Sequence, residues 1–185
     1  MSDIDISSCL DIPGWMDECE LKWLAESAQK CQWIIEVGSW CGRSTRALAL
    51  HTPGKVYAVD LWAGLNGATA QDTYDEQAAS EAYQRFQDNC GEFFAPNKIQ
   101  FFRKDSLEAA AYMASIRGFE WCDMIFLDGA HDYKQVYMEI VAYRQLLKPG
   151  GIFCGHDIGF PGVNRAVTEL VKNYTCPAGQ IWVAK

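Results

Sequence analysis

Short apolar segments alternate with helical patterns along almost the whole chain, and this alternation constrains the fold more than any other feature. Most of these segments are hydrophobic throughout, as expected of strands that are covered on both faces. Parallel strands need a crossover between them, usually a helix, so the pattern predicts an α/β fold with helices on both faces of a mostly parallel sheet. The predicted strands are residues 33–37, 56–59, 99–102, 122–127 and 152–155.

Capping signals and apolar periodicity place helices between these strands. Asp17 to Glu20 and Asp105 to Glu108 have the spacing of a capping box, so a helix should begin at each. Tyr174 to Cys176 and Ile181 to Ala184 should pair as a hairpin that closes the sheet. The other predicted helices are residues 44–50, 71–89 and 163–171. One more helix is predicted after Asp128, and it should end at Lys148-Pro149-Gly150-Gly151.

The composition argues against several classes of protein. A net charge of −8 has the wrong sign for binding phosphate backbones, so nucleic acid is not an expected partner. The eight cysteines include no C-x-x-C pair, which favours reduced core thiols over a zinc or redox motif. Residues 1–14 lack signal-peptide features, and no stretch approaches the roughly 20 apolar residues of a membrane span. We therefore expect a cytoplasmic protein without a membrane partner.

At 185 residues, the chain fits a single domain spanning 1–185. Residues 1–30 are predicted to form an N-terminal helical cap, and the long connection at 62–95 a lid that is approached through a mobile stretch at 64–67. The segment 12–15 could also fold over a ligand site. The predicted lid and the segment 12–15 could instead be contacts of a homodimer.

Acidic residues lie at or just after the predicted strand ends. In an open parallel sheet, ligands bind beyond the carboxyl ends of the strands, so these carboxylates should converge on a site that suits a cationic ligand. Asp105 could instead only cap a helix, and Glu36 could only order its loop. The residues of this set are Glu36, Asp60, Asp105, Asp128 and Asp157.

The loop after the first strand carries Gly38 and Gly42, which are separated by three residues rather than by the spacing of G-x-G-x-x-G. This spacing argues against a dinucleotide fingerprint. Asp60 nevertheless lies 22 positions beyond Gly38, about where an acidic residue binds the hydroxyls of an adenosine ribose. An adenosine-containing ligand is therefore predicted, although glycine-rich turns of this kind also serve packing alone.

Residues 34–45, 56–62 and 126–162 together resemble class I S-adenosylmethionine-dependent methyltransferases. The sequences FLDGAHDY at 126–133 and LKPGGIFCGHD at 147–157 are similar to a small bacterial and phage branch related to sugar and antibiotic O-methyltransferases. Catechol O-methyltransferase is more distantly similar. The resemblance implies a Rossmann-like fold with a seven-stranded, mostly parallel sheet and an antiparallel last strand. The alternation of strands and helices supports the α/β class but does not give the order of the strands in the sheet.

The resemblance also implies S-adenosylmethionine as the cofactor. The first loop would face its methionine part, Asp60 would hold the ribose, and Asp105 with Ser106 would flank adenine. Ser44 or Thr45 could reach the cofactor carboxylate at a helix N-terminus, and Trp62 could contact adenine or only form a wall. The predicted cofactor-binding residues are Glu36, Gly38, Ser39, Gly42, Ser44, Thr45, Asp60, Leu61, Trp62, Asp105, Ser106 and Asp128.

Methyl transfer from this cofactor is a direct displacement, so an enzyme mainly aligns the reactants and helps to deprotonate the acceptor. Asp128 and His131 are the catalytic candidates, His131 as the base because an imidazole titrates near neutral pH. A histidine at the start of a helix is also often structural.

A metal is the other way to activate an acceptor hydroxyl, and Asp128, His156 and Asp157 could bind Mg²⁺ or another divalent cation. In the catechol enzymes an asparagine follows the aspartate that Asp157 resembles, whereas Ile158 follows here. His156 could replace that missing ligand, or His156 and Asp157 could only hydrogen-bond the next loop.

The leading hypothesis is O-methylation of a small hydroxylated molecule, such as a sugar or a secondary metabolite. A non-catalytic protein that binds an adenosine ligand would need the same first loop and Asp60 but no histidine near the sulfur. A nicotinamide-dependent oxidoreductase fits the alternation but not the glycine spacing. A hydroxylase would need a 2-His-1-carboxylate array, for which the sequence has no convincing spacing.

Overall fold

A computed structural model describes residues 4–63 and 75–185. Within these residues, no helix is both long enough and apolar enough to cross a membrane. The helices are α1 (Ser7–Leu10), α2 (Glu18–Ala28), α3 (Arg43–His51), α4 (Glu76–Cys90), α5 (Ser106–Arg117), α6 (Tyr133–Arg144) and α7 (Pro161–Leu170), with a short 3₁₀ turn at Gly91–Phe93. The strands are β1 (Trp33–Val37), β2 (Lys55–Asp60), β3 (Ile99–Arg103), β4 (Cys122–Leu127), β5 (Leu147–Gly155), β6 (Tyr174–Ala178) and β7 (Ile181–Ala184).

The strands form one seven-stranded sheet in the order β3-β2-β1-β4-β5-β7-β6. Neighbouring strands from β3 to β5 pair in parallel, and β7 pairs antiparallel with both β5 and β6. The predicted Rossmann-like sheet with an antiparallel last strand is therefore confirmed. The predicted C-terminal hairpin is also confirmed, and it closes the sheet beyond β5.

Two hydrophobic cores lie on opposite faces of this sheet. Ile34 packs into the core that α2, α3 and α4 cover, whereas its neighbour Ile35 packs into the core beneath α5, α6 and α7. Successive side chains of a strand point to opposite faces, so a central strand such as β1 has to be apolar almost throughout. Helices on both faces are thus confirmed, and the buried sheet gives a rigid support to the loops at its edge.

Local capping signals set the starts of two helices as predicted. Asp17 and Glu20 form the capping box of α2, in which Glu20 Oε2 accepts a hydrogen bond of 2.7 Å from the Asp17 amide. Asp105 caps α5 by accepting from the amides of Leu107 and Glu108. A helix leaves its first amides without partners, and these carboxylates satisfy them.

The predicted end of the helix after β4 is wrong. Helix α6 ends at Arg144, and the segment Lys148 to Gly151 belongs to β5 rather than to a helix stop. The pairing register shifts between Cys122 and Met124, so the four residues 148–151 of β5 lie opposite the single residue Asp123 of β4 and form an irregular strand start. Gly150, with φ +78°, permits this irregularity.

The predicted lid at 62–95 is described only in part, because residues 64–74, including the approach at 64–67, lie outside the described residues. The described portion includes α4, which buries Ala82, Phe86 and Cys90 against the first core. None of the residues 75–95 lines the cavity at the carboxyl edge of the sheet, which is described below. The lid at 62–95 therefore stays a prediction.

Backbone pairing continues past the strand ends and fixes the edge at which a ligand would bind. The Gly38 amide donates to Val59 O, and the Asp128 amide donates to Val37 O, both at 2.8 Å. A Cβ atom on Gly38 would lie 2.0 Å from Asp128 O, and the φ of Gly38 is +91°. Glycine is thus required where the loops after β1 and β4 meet.

Replacing Gly38 should destabilise the protein far more than replacing another left-handed glycine. Gly38→Ala should lower the free energy of unfolding by about 3 kcal/mol or more, because the methyl group overlaps backbone. Gly150→Ala is the control, because Gly150 also has a positive φ but no atom within 4 Å of a built Cβ. It should cost about 1 kcal/mol. Equal losses in denaturant titrations of the two variants would contradict the close approach.

Candidate active site

A cavity of about 480 Å³ opens at the carboxyl edge of the sheet. Its wall is built from the segment before α2 and from the loops that follow β1, β2, β3, β4 and β5, together with residues of α6. The structure therefore brings together strand ends that are far apart in sequence. The predicted site residues that line the cavity are Gly38, Ser39, Ser44, Asp60, Leu61, Asp105, Ser106, Asp128, His131, His156 and Asp157.

Asp60 lies at the end of β2, where its carboxylate organises two loops. Its Oδ2 accepts from the Trp40 amide and its Oδ1 from the Trp62 amide, both at 2.8 Å. Burial raises the pKa of Asp60, although these backbone hydrogen bonds oppose the shift. Asp60 also lines the cavity wall, so its carboxylate lies where ligand hydroxyls could donate to it.

The N-terminus of α3 lies at the same cavity, since Arg43 and Ser44 line its wall. Gly42 is the N-cap residue, with φ +90°, and no side chain caps the helix. The first turn of α3 also contains no acidic residue. Arg43, at the first position, lines the cavity, and its Nε is buried without a hydrogen-bond partner. This arrangement suits a carboxylate, because uncapped amides and the helix dipole both favour an anion.

Glu36 lies beneath this loop rather than in the cavity wall. It is fully buried, and its Oε2 accepts hydrogen bonds from the hydroxyls of Ser39 and Thr45. Burial raises its pKa to about 7, against the effect of hydrogen bonds from Ser44, Thr45 and Ser39. The direct cofactor contact predicted for Glu36 does not follow from this geometry. Glu36 instead braces the loop and the first turn of α3.

Three other predicted cofactor residues lie outside the cavity wall. Trp62 is buried against Tyr83 and Phe86, and its Nε1 donates to Trp40 O, so its indole cannot reach a ligand in the cavity. The adenine contact considered for Trp62 is therefore not supported. Thr45 is held by Glu36, and Gly42 packs against α4, where a Cβ would lie 2.6 Å from Cys90 Sγ.

A polar cluster at the Asp105 end of the cavity includes two residues that the sequence analysis missed. Gln135 and Glu139 on α6 line the cavity beside Ser106. Glu139 Oε1 accepts from Ser106 Oγ at 2.6 Å and from Gln135 Nε2 at 3.2 Å. Burial raises the pKa of Glu139 to about 7. The spacing of four between Gln135 and Glu139, which puts both on one helix face, was the signal that could have revealed them.

Another part of the cavity wall holds two histidines and two aspartates. His131 Nε2 lies 2.7 Å from Asp157 Oδ2, and its ring stacks on Phe160 with 4.5 Å between ring centroids. His156 Nδ1 lies 3.4 Å from Asp128 Oδ1 and 3.2 Å from Asp157 Oδ1. Asp157 has φ +59°, a left-handed conformation that aspartate tolerates better than most residues. The loop after β5 thus aims both oxygens of Asp157 at imidazoles.

Burial and mutual attraction shift the pKa values of this cluster. Burial raises the pKa of Asp128 to about 6, although the neighbouring His156 opposes the shift. Burial disfavours a charged His156, but hydrogen bonds to Asp128 and Asp157 outweigh it and raise the pKa of His156 to about 11. Burial would raise the pKa of Asp157, but hydrogen bonds and attraction from His131 and His156 outweigh it and lower that pKa. Such perturbed groups in a cleft are typical of a functional site.

The donor set of this cluster fits a divalent cation. One ligand atom each from Asp128, His156 and Asp157 can be chosen so that all three lie within 4.8 Å of one another. Two carboxylates and one imidazole are a donor set that Mg²⁺ tolerates and that Mn²⁺ or Zn²⁺ favours more strongly. The predicted metal ligands therefore lie together.

Comparison with known proteins places the fold and the family. The family model described as a methyltransferase domain matches residues 35–158, more than half of the chain. No curated protein gives a significant match. An O-methyltransferase from Bacillus cereus solved in complex with SAH is 15% identical, with a TM-score of 0.67, over 99% of this chain and 90% of that one.

Two further solved structures show how widely this fold is used. The calicheamicin methyltransferase CalS11 is 15% identical, with a TM-score of 0.65, over 89% of this chain and 76% of that one. A precorrin 8W decarboxylase from Methanobacterium thermoautotrophicum is 18% identical, with a TM-score of 0.61, over 90% of this chain and 79% of that one. At such identities the similarity shows the fold alone.

The family match runs from β1 to the loop after β5, and these are the elements that supply most of the cavity wall. The sheet has the seven strands, the mostly parallel pairing and the antiparallel last strand that the resemblance implied. The chain therefore belongs to the methyltransferase domain family.

Proposed function

We propose that this protein transfers the methyl group of S-adenosylmethionine to a hydroxyl group of a small acceptor molecule. One observation carries the proposal: a single cavity has Asp60 and the uncapped start of α3 in its wall and also holds the cluster of Asp128, His131 and Asp157. The first group suits an adenosine ribose and an amino-acid carboxylate. The second group suits a hydroxyl that has to lose its proton.

The cofactor would lie along the carboxyl edge of the sheet. Its carboxylate would bind at the start of α3, its ribose hydroxyls would donate to Asp60, and its adenine would lie near Ser106. Gln135 and Glu139 extend the adenine end, because their amide and carboxyl groups can exchange hydrogen bonds with a base edge. The observations that support this placement are the cavity wall and the hydrogen bonds within it.

His131 would act as the base at the acceptor end. As the acceptor oxygen forms its bond to the methyl carbon, the carbon–sulfur bond breaks and its electron pair stays on the neutral sulfur. The proton of the acceptor hydroxyl would pass to the imidazole of His131. Asp157, at 2.7 Å from His131 Nε2, would stabilise the ring in its protonated form.

Asp128, His156 and Asp157 would hold a divalent cation. Such a cation would supply a Lewis acid that lowers the pKa of the acceptor hydroxyl. The ring of the acceptor, a sugar or an aromatic group, would lie towards Trp15 and Trp40. Trp15 is 72% exposed at the cavity rim, and its ring centroid lies 5.9 Å from that of Trp40.

Substitution of Asp60 and of His131 should affect different quantities. Asp60→Ala should weaken the binding of S-adenosylhomocysteine about 10-fold or more, because the ribose loses a charged acceptor. His131→Ala should leave that affinity within about twofold and lower kcat by about 10²- to 10⁴-fold. Calorimetry gives the affinities, and S-adenosylhomocysteine release in an acceptor screen gives the rates. Binding of NAD in preference to the methyl donor would defeat the proposal.

Removal of divalent cations should lower turnover strongly, because Asp128, His156 and Asp157 would hold a metal at the acceptor end. The wild-type protein is treated with EDTA, dialysed, and assayed for S-adenosylhomocysteine release before and after Mg²⁺ is returned. We expect activity to fall at least about 10-fold and to recover with Mg²⁺, because the acceptor hydroxyl would lose its Lewis acid. Unchanged activity after exhaustive chelation would leave His131 as the sole activating group.

The buried Glu139 should make the ligand-free protein less stable as pH rises. Its folded pKa of about 7 lies above the ordinary glutamate value of 4.5, so the folded state holds this proton more tightly than the unfolded state. The stabilisation is complete below about pH 4.5 and is lost as pH rises through about 7. Glu139→Gln, which imitates the neutral acid, should flatten this slope and exceed wild type in stability at pH 8.

Urea titrations between pH 5 and pH 8 measure the slope for wild type and Glu139→Gln. Glu81→Gln provides the control, because Glu81 is an exposed residue of α4. The control should keep the slope of the wild-type protein. If Glu139→Gln also keeps it, Glu139 is ionised in the folded protein at neutral pH and the assignment is wrong.

A further inference from the structure

Glu20 connects three parts of the chain through one buried carboxylate. It is the third residue of α2 and is only 2% exposed. Its Oε2 accepts from the Asp17 amide at 2.7 Å, and its Oε1 accepts from the Gln180 amide at 2.6 Å. Oε1 also lies 3.0 Å from His156 Nε2. Glu20 thus links helix α2, the β6–β7 turn and the cavity.

Helix capping alone does not account for this arrangement. A capping-box glutamate needs one oxygen for the N-cap amide, and surface helices normally leave such a side chain exposed. Here the second oxygen meets two donors in the interior. The β6–β7 turn makes room for it with Gly179, since a Cβ at that position would lie 2.2 Å from Glu20 Oε1.

The contact with Glu20 determines how His156 faces the cavity. A carboxylate can only accept, so Nε2 of His156 donates to Glu20. The other ring nitrogen, Nδ1, then points between Asp128 Oδ1 and Asp157 Oδ1. His156 is 5% exposed, so its ring has no solvent-facing alternative. A carboxylate that fixes one nitrogen of an imidazole while the other faces a cation is a recurrent arrangement in metal sites.

We propose that Glu20 is a positioning residue that orients His156, so that Nδ1 joins Asp128 and Asp157 as a three-ligand set for a divalent cation. This inference rests on the metal-assisted form of the proposed function. Glu20 itself touches neither the cation nor the substrate. Glu20 belongs to α2, which lies outside the residues 35–158 that the family model matches. The residue that orients His156 therefore comes from the N-terminal part of this chain.

Two substitutions separate the charge of Glu20 from its reach. Glu20→Gln keeps the length but removes the charge, and Glu20→Asp keeps the charge but is too short to hold His156. Both should weaken Mn²⁺ binding to the metal-free protein about 10- to 100-fold, measured by calorimetry without cofactor or acceptor. Mn²⁺ serves as the probe because it accepts the same mixed nitrogen and oxygen ligands.

Asp17→Ala is the matched control, because it weakens the same helix start without changing the Glu20 side chain. It should lower the thermal midpoint as the Glu20 variants do but leave Mn²⁺ affinity within about twofold of wild type. S-adenosylhomocysteine affinity, measured in parallel, should be unchanged in all variants. Mn²⁺ binding as tight in both Glu20 variants as in wild type would overturn the inference.

Two further outcomes distinguish this inference from the proposed function. A wild-type protein that binds S-adenosylhomocysteine but not Mn²⁺ would refute the role of Glu20 and leave the methyltransferase proposal standing. A wild-type protein that binds neither would refute both.

Discussion

The imidazole of His156 lies in the interior among the carboxylates of Glu20, Asp128 and Asp157. Three acidic groups this close together, one buried and two in the cavity wall, need positive charge or a bound proton beside them, because an unpaired charge with little access to water is strongly unfavourable. A protonated imidazole offsets only one of the three, and a divalent cation would offset more. The rest of the structure serves this requirement, since α2, β4 and β5 must meet at one point for the cluster to exist.

Features with local causes could be predicted from the sequence. The bounds of β4 were predicted correctly because an apolar run with acidic and glycine residues at its end has few alternatives. The starts of α2 and α5 followed from capping boxes, in which all the interacting groups lie within a few residues. The ligand edge also followed, because parallel strands place their carboxyl ends together. The number of strands and the antiparallel last strand came only from the resemblance to a family.

Features with long-range causes could not be predicted in this way. The start of β5 was missed because Pro149 and Gly150 look like helix-ending residues, whereas pairing with β4 makes them an irregular strand. The aromatic cluster that buries Trp62 includes Phe101, which lies 39 positions away, and no sequence pattern near Trp62 predicts this contact. Glu20 was recognised as a cap, but its contacts with His156 and Gln180 span 136 and 160 positions.

The position of β7 between β5 and β6 bears on how the protein is made. A ribosome delivers residues in chain order, so β5 and the loop after it emerge while the strand that will cover their edge is still unsynthesised. Until β7 docks, β5 is an open edge that can pair with other chains. Glu20 likewise lacks its partner Gln180 during that interval. The nascent polypeptide thus passes through a stage in which the site is incomplete and aggregation competes with maturation.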